Sequence, residues 1–190
     1  HPVNGSAPKK SYEPANDDFR DNSVLVPVIG WKKELEVLFT LRSPSINHGG
    51  QLSFPGGGRE GNESTEETAL REAQEEIGLR PENATILGQL TPLYVGHSDN
   101  MVTPVVALLY PEQTFTPNPN EVAEIISVPL KEFYSDKNLV NEEWKLRNKQ
   151  PYKVPYWDIH HIPLWGATAM MMSEFVEITR GFFEDDGKNE

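Results

Sequence analysis

Apolar residues recur along this chain with two different periods, one typical of strands and one typical of helices. Apolar and β-branched residues dominate 22–31 and 34–42, and a short connection containing glycine separates the two blocks, which predicts a β-hairpin. Similar blocks predict strands over 51–54, 85–95, 101–110 and 121–128, and a strand pair or bent strand over 152–162. Most of the middle of the chain is therefore predicted to form a β-sheet.

One helix is predicted to begin after Ser64. The residues that follow are rich in Glu, Ala and Leu and include neither proline nor glycine before Gly78, which favours a helix. Ser64 is a preferred N-cap, and Glu67 three residues later completes a capping box. Gly78 occupies a position at which glycine commonly ends a helix, so both ends of this helix are predicted.

A second long helix is predicted over 167–180, and a short one over 129–134. Apolar residues of the long helix recur at helical spacing. Those expected on or near its apolar side are Met171, Phe175, Val176 and Ile178. Strands interrupted by two long helices predict an α/β (α+β) fold in which a sheet lies between helical layers.

The composition is that of one globular domain. The chain has 190 residues, of which 37% are hydrophobic and 24% are charged, so a single sizeable core is expected. Its formal net charge of -12 argues against a nucleic-acid groove, which is marked by a basic patch. An acidic protein still binds polyanionic small molecules when metal ions neutralise the contact. Because the chain has no cysteine, disulfides, thiolate metal sites and cysteine nucleophiles are excluded.

The two ends of the chain differ from its middle. Residues 1–17 are polar and are expected to be a disordered or tag-like segment, and 184–190 is expected to be an acidic tail. The folded domain is accordingly predicted over 18–183. The sequence has no apolar run near the length of a membrane span, and a cytoplasmic protein is expected.

Three glutamates on the first helix are the main chemical signal. Glu72, Glu75 and Glu76 follow i, i+3, i+4 spacing, so they share one face of the helix. They repel one another unless a cation lies between them, and hard divalent ions such as Mg²⁺ prefer oxygen ligands. A solvated acidic surface is the alternative interpretation. The glycine-rich loop before the helix and the spacing of Gly, Glu and Arg around the glutamates favour the metal site.

This segment resembles the Nudix box. The chain matches the fixed positions of that signature at Gly57, Glu63, Arg71, Glu72, Ala73, Glu75, Glu76, Gly78 and Leu79. Ala73 is a small residue for an aliphatic position, which is a minor departure. The resemblance implies a Nudix fold, with a mixed sheet sandwiched between helices. It also implies hydrolysis of a small-molecule diphosphate with Mg²⁺ or Mn²⁺ as cofactor.

The Nudix resemblance assigns roles to the charged residues of the helix. Glu75 and Glu76 are expected to be direct metal ligands, and Glu72 is expected to be a ligand or the base that activates water. Glu63 is expected to support the site or to bind a second ion. Arg71 is expected to pair with one of these carboxylates and to hold its rotamer.

Residues outside the helix complete the expected site. Gly56 and Gly57 are expected at the substrate, since glycine lets the backbone turn tightly and approach a ligand or metal closely. Arg42 is a candidate for contacting substrate phosphate. Glu121 stands where Nudix proteins often have a further carboxylate, and it is expected to be a base or a metal ligand.

A longer resemblance concerns the substrate. Residues 38–43 and 48–57 resemble the additional motif of the coenzyme A diphosphatase branch of the Nudix family, and 102–106 and 164–169 resemble later segments of that branch. This resemblance implies hydrolysis of coenzyme A or its derivatives to 4'-phosphopantetheine and adenosine 3',5'-bisphosphate.

One departure from that branch bears on the substrate. The branch usually has a second arginine after the Arg42-Ser43 pair, and none lies between Ser43 and Gly50. Arginine makes bidentate, charge-assisted bonds to phosphate, so its loss would weaken contacts to the diphosphate or the 3'-phosphate. Two alternatives therefore stay open: a Nudix enzyme for ADP-ribose or a nucleoside triphosphate, and a non-catalytic nucleotide-binding module. No nucleic-acid or membrane partner is expected, and a homodimer is left open.

Overall fold

The computed structural model describes residues 19–31, 34–96, 98–144 and 151–184. Within them, one large mixed sheet lies between two long helices, and a small hairpin stands apart from the sheet. The strands are β1 (Arg20–Trp31), β2 (Glu34–Arg42), β3 (Leu52–Ser53), β4 (Gly56–Gly58), β5 (Ala84–Gln89), β6 (Leu93–Val95), β7 (Asn100–Leu109), β8 (Val122–Pro129), β9 (Leu139–Trp144) and β10 (Tyr152–Trp157). The helices are α1 (Thr65–Ile77) and α2 (Gly166–Glu184), with 3-10 turns at Pro81–Asn83, Leu130–Tyr134 and Asp136–Asn138.

Strand β1 organises the large sheet. It runs parallel to β7 from the residue pair Arg20–Asn100 onward, and its second half pairs antiparallel with β2. Its first half pairs instead with β4, where Asn22 lies opposite Gly58. Strands β3 and β8 pair with β2, and β5 and β6 pair with β7. Because α1 follows β4 closely in the chain, the pairing of β4 with β1 sets the start of the acidic helix beside the central strand.

The sheet separates two apolar clusters, one under each helix. Neighbouring residues of β1 face opposite ways, so Leu25 joins the cluster with α1 and Val26 joins the cluster with α2. Helix α1 contributes the buried residues Ala69, Ala73 and Ile77, and α2 contributes Ala169, Met171, Met172, Phe175 and Val176. The predicted sheet between helical layers is confirmed.

Both ends of α1 lie where the sequence predicts them. The Ser64 hydroxyl accepts from the Glu67 amide at 3.2 Å, and the Glu67 carboxylate accepts from the Ser64 amide at 2.8 Å, so the capping box is confirmed. Gly78 has a φ of 68°, a left-handed conformation that glycine adopts without strain. Its amide donates to the Gln74 carbonyl at 3.0 Å and ends the helix.

The single strand predicted over 85–95 is wrong, because this segment forms β5 and β6. Both strands pair with β7, but the register of β5 shifts between Ile86 and Gly88. Pro92, in the gap between them, has no N–H for a ladder hydrogen bond. A bulge and a proline therefore interrupt a segment that appears continuous in composition.

The prediction for 152–162 is correct for its first half and misses the partner. Strand β10 pairs with β9, which the hydrophobic pattern did not predict. The centre of β9 consists of Asn141, Glu142 and Glu143, all exposed, so its composition resembles that of a loop. After β10 the chain bends, and Trp157 forms an isolated β-bridge with Leu164.

Helix α2 confirms the helix predicted over 167–180, with one correction. Ile178 is 64% exposed. It lies on nearly the same face as the buried Met171 seven residues earlier, but none of the residues 177–181 is buried. Ile178 is therefore exposed because it lies beyond the packed part of the helix. In the described residues, no helix has the length and apolarity needed to cross a membrane.

The expectations for the ends of the chain concern residues that are largely not described. The segment 1–17 and all but the first residue of 184–190 lie outside the described ranges. The domain boundaries at 18 and 183 therefore stay a prediction.

Candidate active site

Glycines bring β4 into close contact with both β1 and α1. A β-carbon at Gly56 would lie 2.4 Å from the Ser23 carbonyl oxygen, and one at Gly57 would lie 2.6 Å from the Glu72 carboxylate. Both distances are far below van der Waals contact, so only glycine fits without a shift of its neighbours. At Gly56 the obstacle is the backbone of β1, whereas at Gly57 it is a functional side chain.

Arg71 joins β4 to the acidic residues of the helix. Its Nε donates to Glu63 Oε1 at 2.8 Å, and its Nη1 donates to Glu72 Oε1 at 2.9 Å. Its Nη2 donates to the Gly58 carbonyl at 2.8 Å. Glu75 is a more distant partner at 3.4 Å. This is the pairing that the sequence predicts, and the planar fork of arginine makes all of these contacts at once.

Glu63 anchors that arginine. Its carboxylate also accepts from the Thr68 hydroxyl and from the Glu60 amide, each at 3.0 Å. The hydrogen bond from Arg71, followed by the one from the Glu60 amide, lowers the pKa of Glu63 to about 2. Because its oxygens are engaged in this way, the placement of Glu63 fits the supporting role, which is one of the two predicted for it.

Glu76 has the opposite environment. It is only 4% exposed, and the Gly56 amide favours the charged form of its carboxylate. Burial raises the pKa of Glu76 to about 8, the nearby charge of Arg42 lowers it in part, and Glu121 and Glu72 add to the rise. The contributions of Glu121 and Glu72 agree with the backbone, because Asn118 contacts both the Glu76 carbonyl and the Glu121 carboxylate.

The three glutamates on the helix do not share one environment. Burial is the main cause that raises the pKa of Glu72, and Glu75 and Glu121 contribute, whereas the contact with Arg71 opposes the rise. The Glu72 side chain is 14% exposed, but that of Glu75 is 54% exposed. Glu72 and Glu76 therefore face the interior of the site, and Glu75 faces solvent.

The segment before β8 brings Glu121 to the same place. The Thr116 amide donates to the Ile77 carbonyl and the Asn118 amide to the Glu76 carbonyl, each at 2.8 Å, which satisfies carbonyls that the end of α1 leaves free. The Asn118 side-chain amide then donates to Glu121 Oε1 at 3.1 Å. Sequence reasoning missed Asn118. The prolines on either side of it indicate a turn but do not reveal what the turn contacts.

Arg42 ends β2 beside the acids. Its Nε donates to the Asn47 carbonyl at 3.1 Å, and its backbone closes the 43–50 turn through hydrogen bonds with Gln51 and Gly50. Arg42 pairs with Val122 of β8, and the Ser43 amide donates to the Glu121 carbonyl at 2.8 Å. Arg42 therefore lies beside the segment that carries Glu121, and its charge lowers the pKa of Glu76.

The donor set of this site fits a hard divalent cation. Glu72, Glu75 and Glu76, with Glu121 beside them, offer carboxylate oxygens, and these are the ligands that Mg²⁺ prefers. Among the described residues, no three acidic or histidine side chains come close enough together to hold an ion by themselves. Mg²⁺ usually binds through one or two carboxylates and completes its shell with water and substrate phosphates. The arrangement therefore suits an ion that binds together with its substrate.

Fold and site together define an α/β protein in which a mixed sheet lies between two helical layers and the candidate site lies on the acidic helix α1. The family model described as the NUDIX domain matches residues 19–150. The chain belongs to the Nudix hydrolase family.

Individual relatives support this assignment. The chain is 37% identical over 164 residues to the uncharacterized Nudix hydrolase NudL of Photorhabdus laumondii, which covers 85% of this chain and 86% of that protein. It is 42% identical over 113 residues to the peroxisomal coenzyme A diphosphatase NUDT7 of Mus musculus, which covers 58% of this chain and 48% of that protein. The crystal structure of RenU, a Nudix hydrolase from M. smegmatis, matches with a TM-score of 0.62 at 21% identity, over 85% of this chain and 86% of that one. At that identity the likeness shows the fold alone.

Proposed function

We propose that this protein hydrolyses a diphosphate linkage with a divalent metal ion, and that coenzyme A or a derivative is its substrate. The observation that carries the reaction is the buried carboxylate of Glu76, on the helix face that also carries Glu72 and beside the segment that carries Glu121. A buried carboxylate beside other acids is costly for stability, so its presence points to a task in the site. Membership of the Nudix family supports the same reaction.

Glu72, Glu75 and Glu76 are the residues that would hold the ion. When bound, Mg²⁺ or Mn²⁺ neutralises charge on the bridged phosphates and lowers the pKa of a bound water. Burial holds the Glu76 side chain inside the site, and Arg71 orients Glu72. Glu75 is the most exposed of the three and has the most freedom to adjust.

Glu121 is the residue that we assign as the base. Asn118 orients its carboxylate, so that it accepts a proton from the attacking water. Glu72 is the weaker choice, because Arg71 already engages its carboxylate at 2.9 Å and it is one of the proposed metal ligands. The water oxygen then bonds to phosphorus, and the anhydride P–O bond breaks. Arg42 would bind a phosphate oxygen at this point.

Two observations support coenzyme A as the substrate. The segments 38–43 and 48–57 resemble the additional motif of the coenzyme A diphosphatase branch. The mouse relative, which this chain matches over part of its length, is a coenzyme A diphosphatase by name. The missing arginine within 43–50 is the reason to assay ADP-ribose and a nucleoside triphosphate alongside it.

Product analysis tests both levels of the proposal. The protein is incubated with Mg²⁺ or Mn²⁺ and, separately, with coenzyme A, ADP-ribose and a nucleoside triphosphate. Adenosine 3',5'-bisphosphate from coenzyme A at the highest kcat/KM is the expected result. Preference for another diphosphate would keep the reaction and reject coenzyme A, and turnover that survives thorough chelation would reject the metal.

Glu76→Gln tests the assigned ligand. The substitution removes one charge with little change in volume, so the fold should persist while turnover falls on the order of 100-fold. Glu177→Gln is the control, since Glu177 is 80% exposed on α2, and it should retain wild-type turnover. Near-wild-type activity in Glu76→Gln would overturn the assignment.

A further inference from the structure

A cleft of about 700 Å³ lies beside β4 and is separate from the carboxylates of α1. We call it the arginine cleft. The start of β1, the end of β4 and the start of β7 line it, with Arg20, Asp21, Asn22, Gly58, Arg59 and Asn100 among the lining residues. Its volume lies in the range of clefts that bind cofactor-sized ligands.

The arginine cleft and the carboxylate site lie on opposite sides of one strand. Gly57 lies against the Glu72 carboxylate, and Gly58, the next residue, lines the cleft. Successive strand residues face opposite ways and are about 3.3 Å apart along the strand. Asn22 is the β1 partner of Gly58 and so faces the cleft. The two sites therefore adjoin at consecutive residues of β4.

The arginine cleft is cationic in an acidic protein. Two guanidinium groups, those of Arg20 and Arg59, and one carboxylate, that of Asp21, line the cleft. The cleft thus has a net positive charge in a chain whose net charge is -12. Arg59 and Asp21 are 3.4 Å apart and 42% and 53% exposed, and such an exposed pair contributes little to stability. Arg20 is exposed. Two solvated cations facing one cleft favour an anionic ligand.

Two hydrogen-bond acceptors in the cleft lack donors. The side-chain carbonyl oxygens of Asn22 and Asn100 are shielded from solvent and have no partner within the described part of the chain. Leaving such an atom unsatisfied costs about 1–3 kcal/mol, so a partner is expected from outside the chain. Asn100 lies opposite Arg20 in the sheet. Acceptors and cations are therefore side by side, which suits a ligand with N–H or O–H donors next to a phosphate.

We propose that the arginine cleft binds the phosphorylated nucleoside end of the substrate. In this assignment Arg20 and Arg59 bind a phosphate that is not part of the cleaved diphosphate, and Asn22 and Asn100 accept from the sugar or base. The assignment rests on the proposed function, because the extra phosphate is the 3'-phosphate of a coenzyme A-like substrate. It also supplies, from β1 and from the residue that follows β4, the cations that the 43–50 turn lacks.

Comparison of coenzyme A with 3'-dephospho-coenzyme A tests the assignment. The wild-type enzyme is expected to prefer coenzyme A by roughly tenfold or more in kcat/KM, since charged hydrogen bonds to the 3'-phosphate are lost in the analogue. The double variant Arg20→Gln/Arg59→Gln should bring the two kcat/KM values close together, mainly by raising KM for coenzyme A. Arg180→Gln is the matched control, because Arg180 is 40% exposed and lies 3.9 Å from Glu177 on α2. It should keep the wild-type preference.

The outcomes separate this assignment from the proposed function. A wild-type enzyme without the preference, or a double variant that retains it, would overturn the cleft while coenzyme A hydrolysis stands. If the wild type hydrolyses neither compound, the proposed function fails. Calorimetric titration with adenosine 3',5'-bisphosphate and with AMP then tests ligand binding by the cleft independently of activity. The cleft is supported if the wild type binds adenosine 3',5'-bisphosphate more tightly than AMP and the double variant does not. It is contradicted if the wild type binds the two nucleotides equally well. Circular dichroism establishes that each variant is folded.

Discussion

At the scale of single residues, the acids of the site fall into two kinds. Arg71 and the Glu60 amide lower the pKa of Glu63 to about 2, whereas burial raises the pKa of Glu76 to about 8. Carboxyl groups whose environments move their pKa values apart have different tasks. Glu63 stays charged and holds Arg71 in position. Glu76 is largely protonated at neutral pH until a cation favours its charged form.

The raised pKa of Glu76 predicts how the stability of the metal-free protein depends on pH. Its pKa is 4.5 in the ordinary case and about 8 in the fold, so between these values the folded state holds a proton that the unfolded state has lost. The stability linked to this group is present below pH 4.5 and is lost as pH rises through 8.

Glu76→Gln removes this titration, and the variant is expected to gain stability relative to the wild type as the pH increases. The gain should be small near pH 5 and on the order of 4 kcal/mol by pH 8–9. Chemical denaturation in the presence of chelator measures it. Glu177→Gln, exposed on α2, should show a difference that changes little with pH. A constant difference for Glu76→Gln would contradict the buried environment of this carboxyl.

Arg71→Lys tests the fork that orients the carboxylates. Lysine keeps the charge but has a single ammonium group, which cannot contact Glu63, Glu72 and the Gly58 carbonyl in the arrangement that Arg71 makes. We expect kcat to fall on the order of tenfold or more, with a smaller change in KM, in steady-state kinetics. Arg180→Lys is the control and should be neutral. Wild-type kcat in Arg71→Lys would show that only the charge matters.

At the scale of elements, β4 and α1 form the unit that builds the site. The capping box at Ser64 and the left-handed Gly78 define the ends of the helix, and β4 contacts β1 on one side and Glu72 on the other. A side chain at Gly56 would collide with the backbone of β1, whereas one at Gly57 would collide with the Glu72 carboxylate. Substitutions at the two glycines are therefore expected to have different effects.

Alanine substitutions in β4 should separate stability from activity. In Gly56→Ala the new β-carbon meets the backbone of β1 at 2.4 Å, so the melting temperature should fall by several degrees or more. In Gly57→Ala it meets only the end of the Glu72 side chain at 2.6 Å, which can move. That variant should melt near the wild type but lose most turnover.

Thermal melts and turnover of both glycine variants are compared with Gly181→Ala, where a β-carbon meets nothing within 4 Å. This control should retain both properties. A Gly57→Ala enzyme with full activity would show that the position of Glu72 is not critical.

At the scale of the whole molecule, the sheet holds two sites on either side of one short strand. The carboxylate site uses the α1 side, and the arginine cleft lies on the other side of β4. Strand β1 contributes to both regions, since it pairs with β4 and carries Arg20 and Asn22. The central strand therefore positions both ends of the proposed substrate.

Metal binding should stabilise the whole fold. An ion that binds only the folded state adds RT ln(1 + [L]/Kd), about 2.7 kcal/mol when its concentration is 100 times the Kd. Melting temperature should therefore rise with Mn²⁺ or Mg²⁺ in the wild type and rise much less in Glu76→Gln. Differential scanning fluorimetry over a titration of each ion measures this. Equal shifts in the two proteins would place the ion elsewhere.

The ends of α1 could be predicted from the sequence because they depend on contacts between residues that are close together in the chain. The capping box of Ser64 and Glu67 and the terminal Gly78 involve residues close together in the chain, and all three are confirmed. Strand β9 was missed because its polar centre acquires strand geometry only by pairing with β10. The division of 85–95 depends in the same way on β7, against which the register of β5 shifts.

The sequence by itself determined the family, the acidic helix with both of its ends, and the identity of the candidate carboxylates, because these depend on residue type and short-range spacing. Only the tertiary structure decided which carboxylates are buried. Glu75 and Glu76 are neighbours on one helix, yet one is exposed and the other is enclosed by β4 and the loop that carries Glu121. Burial, pKa and the arginine cleft beside β4 arise from segments distant in the chain, and residue spacing alone does not specify such contacts.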